Sequence, residues 1–321
     1  MKITLLSDIE NDGVRDDVID QVEDALRQNG HGVSTLLVHD DIKKLVGGLL
    51  RRKSDLIFNL IETFGKNIQG DVGIAGLLEA MNLPFTGSGP GELFLQQDKS
   101  ITKKILAFHG IKYPDFAVFN PNAGLETSGT LRMPLFVKPL RSDASLGIDG
   151  NALVQTSLEM MERVAKIHKD FNDAALVEEF IEGREFYVGV LGNGSPSAFP
   201  PIEMDFSGLP EGLPRILDSK AKWSERSKQY KGTKAVLAEI PDELSARLQK
   251  TSVDAFRALQ IRDYGRVDLR LTDTGDIYVI EVNANCYLEK STEFVAGAAA
   301  AGIEFNELIE KIVDFAAKRY Q

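Results

Sequence analysis

The sequence is short of the residues that staple or anchor proteins. It has one cysteine, Cys286, so no internal disulfide framework is possible. Its four histidines, His31, His39, His109 and His168, show neither HExxH nor Cys/His metal spacing. Positive charge is also scarce, with 37 Lys and Arg against 48 Asp and Glu and a formal net charge of −11. That excludes a nucleic acid or an anionic membrane gripped by bulk charge. The longest uncharged stretch, residues 186–202, is broken by glycines, prolines, serines and Asn193, and no membrane span is expected. Asp8 interrupts the amino terminus before a signal-peptide core of adequate length could form. A soluble, reducing, cytoplasmic setting is expected.

What is present suits a packed protein. Hydrophobic residues make up 43% and charged residues 26% of 321 positions, too apolar for disorder. The length predicts two or three domains. Over the first 90 residues strand and helix signals alternate: strands at 2–7, 33–38 and 55–60, and helices at 16–29, 42–52 and 72–81. This βαβαβα order predicts an α/β unit with a doubly wound parallel sheet and a ligand crevice at the carboxyl ends of its strands. PFTGSGPG at 84–91 reads as a turn cluster and a domain boundary.

Beyond it, a helix at 99–109, short strands near 116–119, 135–138 and 152–154, and a helix at 157–171 suggest a small α+β unit. Strands at 175–179 and 185–191 open the remainder. Residues 193–234 have little periodicity and read as a lid or as disorder. A helix at 242–259, a hairpin over 264–282 and helices at 293–301 and 305–320 follow.

The hairpin carries the clearest chemistry. GRVDLRL alternates, with Arg266, Asp268 and Arg270 on one face, and in IYVIEVN Glu281 and Asn283 share a face. About a turn centred on Thr274-Gly275, Asp268 opposes Glu281 and Arg266 opposes Asn283. Two facing carboxylates repel by about 0.2 to 1 kcal/mol unless positive charge lies between them. With an Asn carbonyl they form an all-oxygen set suited to Mg²⁺. A solvated face neutralised by Arg266 and Arg270 accounts equally well for the pattern. PLFVKP delivers Lys138 beside a small-residue loop, RSDASLGIDG, which can bring backbone N–H groups and a point charge to phosphate oxygens. No Walker A motif is present, and GSGPG is not G-x-G-x-x-G. LVEEFIEGREF brings Glu178, Glu179 and Glu185 around a turn.

Taken together, LPFTGSG, the Asp98-Lys99 pair, PLFVKP, ASLGI, LVEEFIEGREF, AKW at 221–223, GRVDLRL and IEVNAN resemble the ATP-grasp superfamily, most closely its D-alanine-D-alanine ligase group. The resemblance implies a three-domain ATP-grasp architecture: an amino-terminal α/β domain over 1–90 and two α+β domains, 91–175 and 176–321, with ATP between them. It implies that Lys99, Lys138 and loop residue Ser145 meet the nucleotide phosphates. Glu178 and the backbone of Phe180 and Ile181 would face adenine, and Glu185 the ribose hydroxyls. Lys222 would reach the γ-phosphate from a lid at 223–233, Arg266 would steady the transferred phosphate, and Asp268, Glu281 and Asn283 would ligate two Mg²⁺ ions, with Mn²⁺ an alternative.

The implied activity is carboxylate–amine ligation of small amino-acid-like substrates through an acyl phosphate. A true D-alanine-D-alanine ligase and an ATP-binding regulatory protein without ligase activity are alternatives, and a homodimer is left open. Departures from the group fall in the substrate pockets. They are 7–13 (SDIENDG) for a G-x-S-x-E segment, Glu62-Thr63-Phe64-Gly65 for a His-Gly pair, Asn285-Cys286-Tyr287-Leu288 for a Ser-Pro-Gly-Met loop, and Ala144 for a serine. Cys286 reads as a packed or site-lining thiol, and Trp223 as a lid or pocket residue.

Overall fold

The chain opens with β1 (Lys2–Asp8), α1 (Asp17–Gln28), β2 (Gly32–Val38), α2 (Ile42–Arg52), β3 (Leu56–Asn59) and α3 (Gly70–Ala80). In this computed structural model residues 1–9, 15–67, 69–122, 126–128, 130–142, 146–224 and 226–321 are described, Ser128 and Trp223 by backbone alone. The three strands are parallel in the order β2-β1-β3. Ile3 and Leu5 of β1 point to one face and Leu6 to the other. Helix α1 buries Val18, Ile19, Val22, Ala25 and Leu26, a stripe at helical spacing, against the first face. Helices α2 and α3 cover the second with Leu45, Leu49, Ile74 and Leu78. The sheet is therefore doubly wound, as the element order predicted.

Two helices follow, α4 (Pro90–Gln97) and α5 (Lys99–Phe108). Helix α4 starts inside the 84–91 turn cluster, where the sequence pattern predicts a turn and no helix. Pro90 has the fixed φ that a first helical turn wants, and Glu92 accepts a hydrogen bond from the Gly89 amide at 2.9 Å, so the turn-like composition is a helix start. Then come β4 (Phe116–Phe119), β5 (Glu126–Ser128), β6 (Leu135–Pro139), β7 (Leu153–Val154), α6 (Ser157–Phe171) and β8 (Ala175–Glu179). These strands form an antiparallel sheet, β5-β4-β8-β6-β7, with α6 packing Val164 and Ile167 onto Leu135, Val137 and Val177. Strand β8 pairs with β4 and β6. We therefore propose that the second domain boundary falls in the turn after Glu179 and not at 175/176.

The last unit contains β9 (Arg184–Leu191), β10 (Ser197–Ala198), β11 (Ile202–Asp205), α7 (Ser219–Trp223), α8 (Lys228–Gly232), β12 (Lys234–Leu237), α9 (Asp242–Ala258), β13 (Tyr264–Leu271), β14 (Ile277–Ala284), α10 (Glu293–Ala300) and α11 (Phe305–Arg319). Its sheet runs β12-β11-β9-β13-β14, with β10 on β9. The stretch 193–234, expected to be a lid or disordered, contains among its described residues two sheet strands and two helical turns. Strands of two to four residues carry too few alternations to register as a period.

Asp268 opposes Glu281, and Arg266 opposes Asn283, as the sequence arithmetic required. The path to that pairing differs. Leu271 faces Ile277, one residue out of step with a two-residue turn, and a bulge between Asp268 and Leu269 restores the register at the acids. Helix α11 returns to the first unit, where Leu308, Ile309, Ile312 and Val313 share a core with α1. Among the described residues no helix is long and apolar enough to cross a membrane.

Candidate functional site

Three strands place the chemistry in cross-strand rows. Glu185 of β9 stands beside Arg270 of β13; Tyr187 beside Asp268 and, across it, Glu281 of β14; Gly189 beside Arg266 and Asn283. Because strand side chains alternate, these rows share one face. The facing sheet contributes Lys138 from β6 and Glu178 from β8. Between the two sheets lies a cleft of about 720 Å³, the open space at its mouth included. It is lined by Lys138, Glu178, Phe180, Ile181, Glu185, Lys222, Asp268 and Glu281, eight of the positions singled out from the sequence. A tight turn joins the walls. Gly183 there has φ +140°, and a Cβ would sit 1.9 Å from the Leu271 carbonyl oxygen, so no other residue fits.

Lys99, Arg266 and Asn283 join the cleft through its carboxylates. Lys99 Nζ lies 3.1 Å from Glu281 Oε1 and also donates to the Ser142 carbonyl at 2.9 Å. Arg266 forks onto Asp268, Nε to Oδ1 at 2.7 Å and Nη2 to Oδ2 at 3.0 Å, while its Nη1 donates to Glu293. Its guanidinium lies 5.0 Å from the centre of the Tyr187 ring. Asn283 Nδ2 donates to Asp268 Oδ2 at 3.2 Å. Lys222 sits on α7, whose first turn is capped by the buried Asp218 and tied to the central unit by Ser219 donating to the Ile148 carbonyl. Ser145 and Ala144, residues 10–13 and the side chain of Trp223 lie outside the described residues.

The two facing carboxylates are in different electrostatic states. Burial works against ionisation of Glu281, but the ammonium groups of Lys99, Lys138 and Lys222 overcome it and hold its carboxyl at about 2. For Asp268 burial prevails over the Arg266 fork, Glu281 adds repulsion, and the carboxyl is pushed up to about 6. The expected repulsion is therefore met by protein cations. The face is not solvated, since Asp268 is 8% and Arg270 6% exposed.

Asp268, Glu281 and Asn283 nevertheless fit a hard divalent cation. They are oxygen donors on adjacent strands, the Asn283 oxygen being offered once its amide turns over. Among the described residues no three His, Cys, Asp or Glu side chains cluster as a metal site, because the third donor here is an amide.

Sequence reasoning missed Lys103. Its ammonium is buried, 2.9 Å from Glu178 Oε2, while Lys138 holds Glu178 Oε1 at 2.8 Å. Burial and Lys138 push the Lys103 pKa down and Glu178 opposes them; burial pushes Glu178 up, but the two lysines overcome it and lower it. Removing either partner of such a pair costs about 3 to 5 kcal/mol. The available signal was the spacing of Lys99 and Lys103, four apart on one helical face. Cys286 is packed in the core, and burial pushes its thiol well up, away from the thiolate a nucleophile needs.

A cleft floored by carboxylates and lysines between two antiparallel sheets, behind an amino-terminal doubly wound unit, is the architecture of an ATP-grasp ligase. The family model described as D-ala D-ala ligase C-terminus matches residues 105–314. An uncharacterized protein of Sinorhizobium fredii, y4sG, is 35% identical over 94% of this chain and 88% of its own. The D-alanine--D-alanine ligase of Carboxydothermus hydrogenoformans is 32% identical, over 92% of this chain and 90% of its own. In three dimensions the D-alanine--D-alanine ligase of Bacillus anthracis, solved with ATP, covers 100% of this chain and 98% of its own, with a TM-score of 0.78 at 22% identity. The chain belongs to the D-alanine-D-alanine ligase family.

Proposed function

We propose that the protein is an ATP- and divalent-metal-dependent carboxylate–amine ligase that joins small amino acids or related compounds. The observation that carries this is that one cleft gathers Lys138, Lys222, Asp268 and Glu281 together with Glu178, Phe180, Ile181 and Glu185. Phosphoryl transfer asks for positioning and charge neutralisation more than for covalent help, and these residue types supply both. Phe180, Ile181 and Glu178 would hold adenine and Glu185 the ribose, with Lys99, Lys138 and Ser145 along the phosphates. Asp268, Glu281 and Asn283 would hold two divalent ions, Mg²⁺ or Mn²⁺, whose bound charge neutralises the developing phosphate charge. To serve the phosphates, Lys99 would have to leave Glu281 and Arg266 would have to turn from Asp268 toward the transferred group.

A substrate carboxylate oxygen attacks the γ-phosphorus, the bridging β–γ bond breaks and ADP leaves. The amine of the second substrate then attacks the acyl phosphate carbon, loses a proton and expels phosphate, giving the amide. Water would hydrolyse that intermediate, which is the use of a closing lid over 223–233. We place the protein in the cytoplasm, where ATP is made and the free thiol of Cys286 stays reduced.

D-Alanine in both pockets is the specific alternative, supported by the names of the relatives. The altered pocket sequence supports a different acceptor or donor: the amide of Glu62 and the hydroxyl of Thr63 both bond to Asp8, and Tyr287 to Asp16. Phosphate release over pairs of D- and L-amino acids, with mass spectrometry of products, separates the two. With the productive carboxylate labelled by ¹⁸O, one labelled oxygen is expected in the released phosphate. AMP and pyrophosphate, or unlabelled phosphate accompanying product, would overturn the acyl-phosphate mechanism. ATP binding without turnover on any pair would favour a regulatory role.

A further inference from the structure

One cleft residue has no part in the reaction as proposed. Arg270 is 6% exposed, lies in the sheet row of Glu185, and touches each element of the nucleotide wall. Its Nη2 donates to Glu185 Oε2 and to the Arg215 carbonyl, the latter at 2.7 Å. Its Nη1 reaches the Ile181 carbonyl at 3.4 Å, and its guanidinium carbon lies 5.2 Å from the centre of the Phe180 ring. Tyr187 donates its hydroxyl to the other Glu185 oxygen, Oε1. Both oxygens of Glu185 are therefore oriented from within the protein, and each keeps a lone pair for a further donor.

We infer that Arg270 is the positioning residue for ribose recognition, setting the Glu185 carboxylate to accept from the sugar hydroxyls while stacking against the Phe180 wall. The inference rests on the nucleotide reading of the cleft given above. A lone carboxylate at the end of a strand could rotate about its terminal bond, and two fixed donors on its two oxygens remove that freedom. The planar fork matters as well as the charge, because one guanidinium serves Glu185, Arg215 and Ile181 together, and an ammonium on a flexible stem cannot. Through Arg215 the same side chain fixes the segment leading to Ile216 and Leu217, which also line the cleft.

The test is calorimetric binding of Mg·ATP and of Mg·2′,3′-dideoxy-ATP, without amino acids, to the wild type, Arg270→Lys and Arg270→Gln. The wild type is expected to favour ATP about tenfold, the size of one hydrogen bond to a charged group. In Arg270→Lys, ATP should weaken about tenfold while dideoxy-ATP stays within about twofold, bringing the ratio near one. Arg270→Gln, which can still fill the space, should do the same if the lysine variant does not fold. An unchanged ratio in a folded variant would overturn the inference, as would unfolding of both variants, since Arg270 would then be structural. No ATP binding by the wild type, or equal binding of the two nucleotides to it, would instead overturn the nucleotide reading itself.

Discussion

Asp268 and Glu281 face each other across one strand pair, yet one carboxyl is held near 2 and the other pushed to about 6. The difference comes from neighbours. Glu281 looks toward three ammonium groups, whereas for Asp268 burial and the Glu281 charge outweigh the Arg266 guanidinium and Lys222. Glu281→Gln keeps the shape and removes the charge that a divalent ion needs. Turnover is expected to fall by about 10³-fold or more, with an unchanged circular dichroism spectrum. Two facing acids alone would suggest that this change stabilises the protein. With Lys99 resting on Glu281, it should instead cost about 1 to 3 kcal/mol in urea unfolding, because a nearly buried ammonium loses its anion. Normal turnover would remove Glu281 from the metal set.

Helix α1 shows how an element is tied as well as packed. Glu23 accepts from Arg15 at 2.5 Å, from Arg27 at 2.6 Å and from Thr35 of β2 at 2.7 Å. Burial alone would raise its pKa, but Arg27, Thr35 and Arg15 overcome that and hold it at about 2, from an ordinary 4.5. A depressed carboxyl stabilises the fold above its unfolded pKa and stops doing so as the pH falls through the folded one. Glu23→Gln should therefore be less stable than wild type at pH 7, and the two should converge between about pH 4.5 and 2. Parallel pH–stability curves would show that Glu23 contributes nothing electrostatic. Long helices such as α6 and α9 were legible from their period. Strands β10 and β11 and helix α4 were not, because two to eight residues hold too little repetition and Pro-Gly composition reads as a turn.

At the scale of the molecule, one buried carboxylate joins the units. Asp263, fully buried, accepts from Arg319 of α11 at 3.0 and 2.8 Å, from Asn193 at 2.7 Å and from the Gly87 amide at 2.7 Å. Arg319 also donates to the carbonyls of Phe85 and Gly87. Gly87 has φ +86°, and a Cβ there would lie 2.4 Å from Asn285 Oδ1, so the turn closes against the end of β14 only with glycine. Arg319→Met should cost about 3 kcal/mol by leaving a buried charge unpaired, seen as a lower urea midpoint for the whole chain. An unchanged midpoint would mean that α11 is held by its apolar face alone.

Local pattern was enough for the elements whose information is local. Hydrophobic period located the parallel sheet and the long helices, alternation put Asp268 opposite Glu281, strand and turn composition marked Lys138 and the LVEEFIEGREF turn, and only the family resemblance pointed to Lys99 and Lys222. Tertiary structure decided who neutralises whom. That Lys99 rests on Glu281, that Lys103 and Lys138 share Glu178, and that Arg270 orients Glu185 depend on side chains 40 to 182 positions apart in the chain, brought together across two sheets and a helix only by folding. The pairing of Asp268 with Glu281 survives an irregular turn because a bulge two residues on corrects the step. Charge at such a site depends on distance and burial, and neither is a property of a residue's place in the sequence.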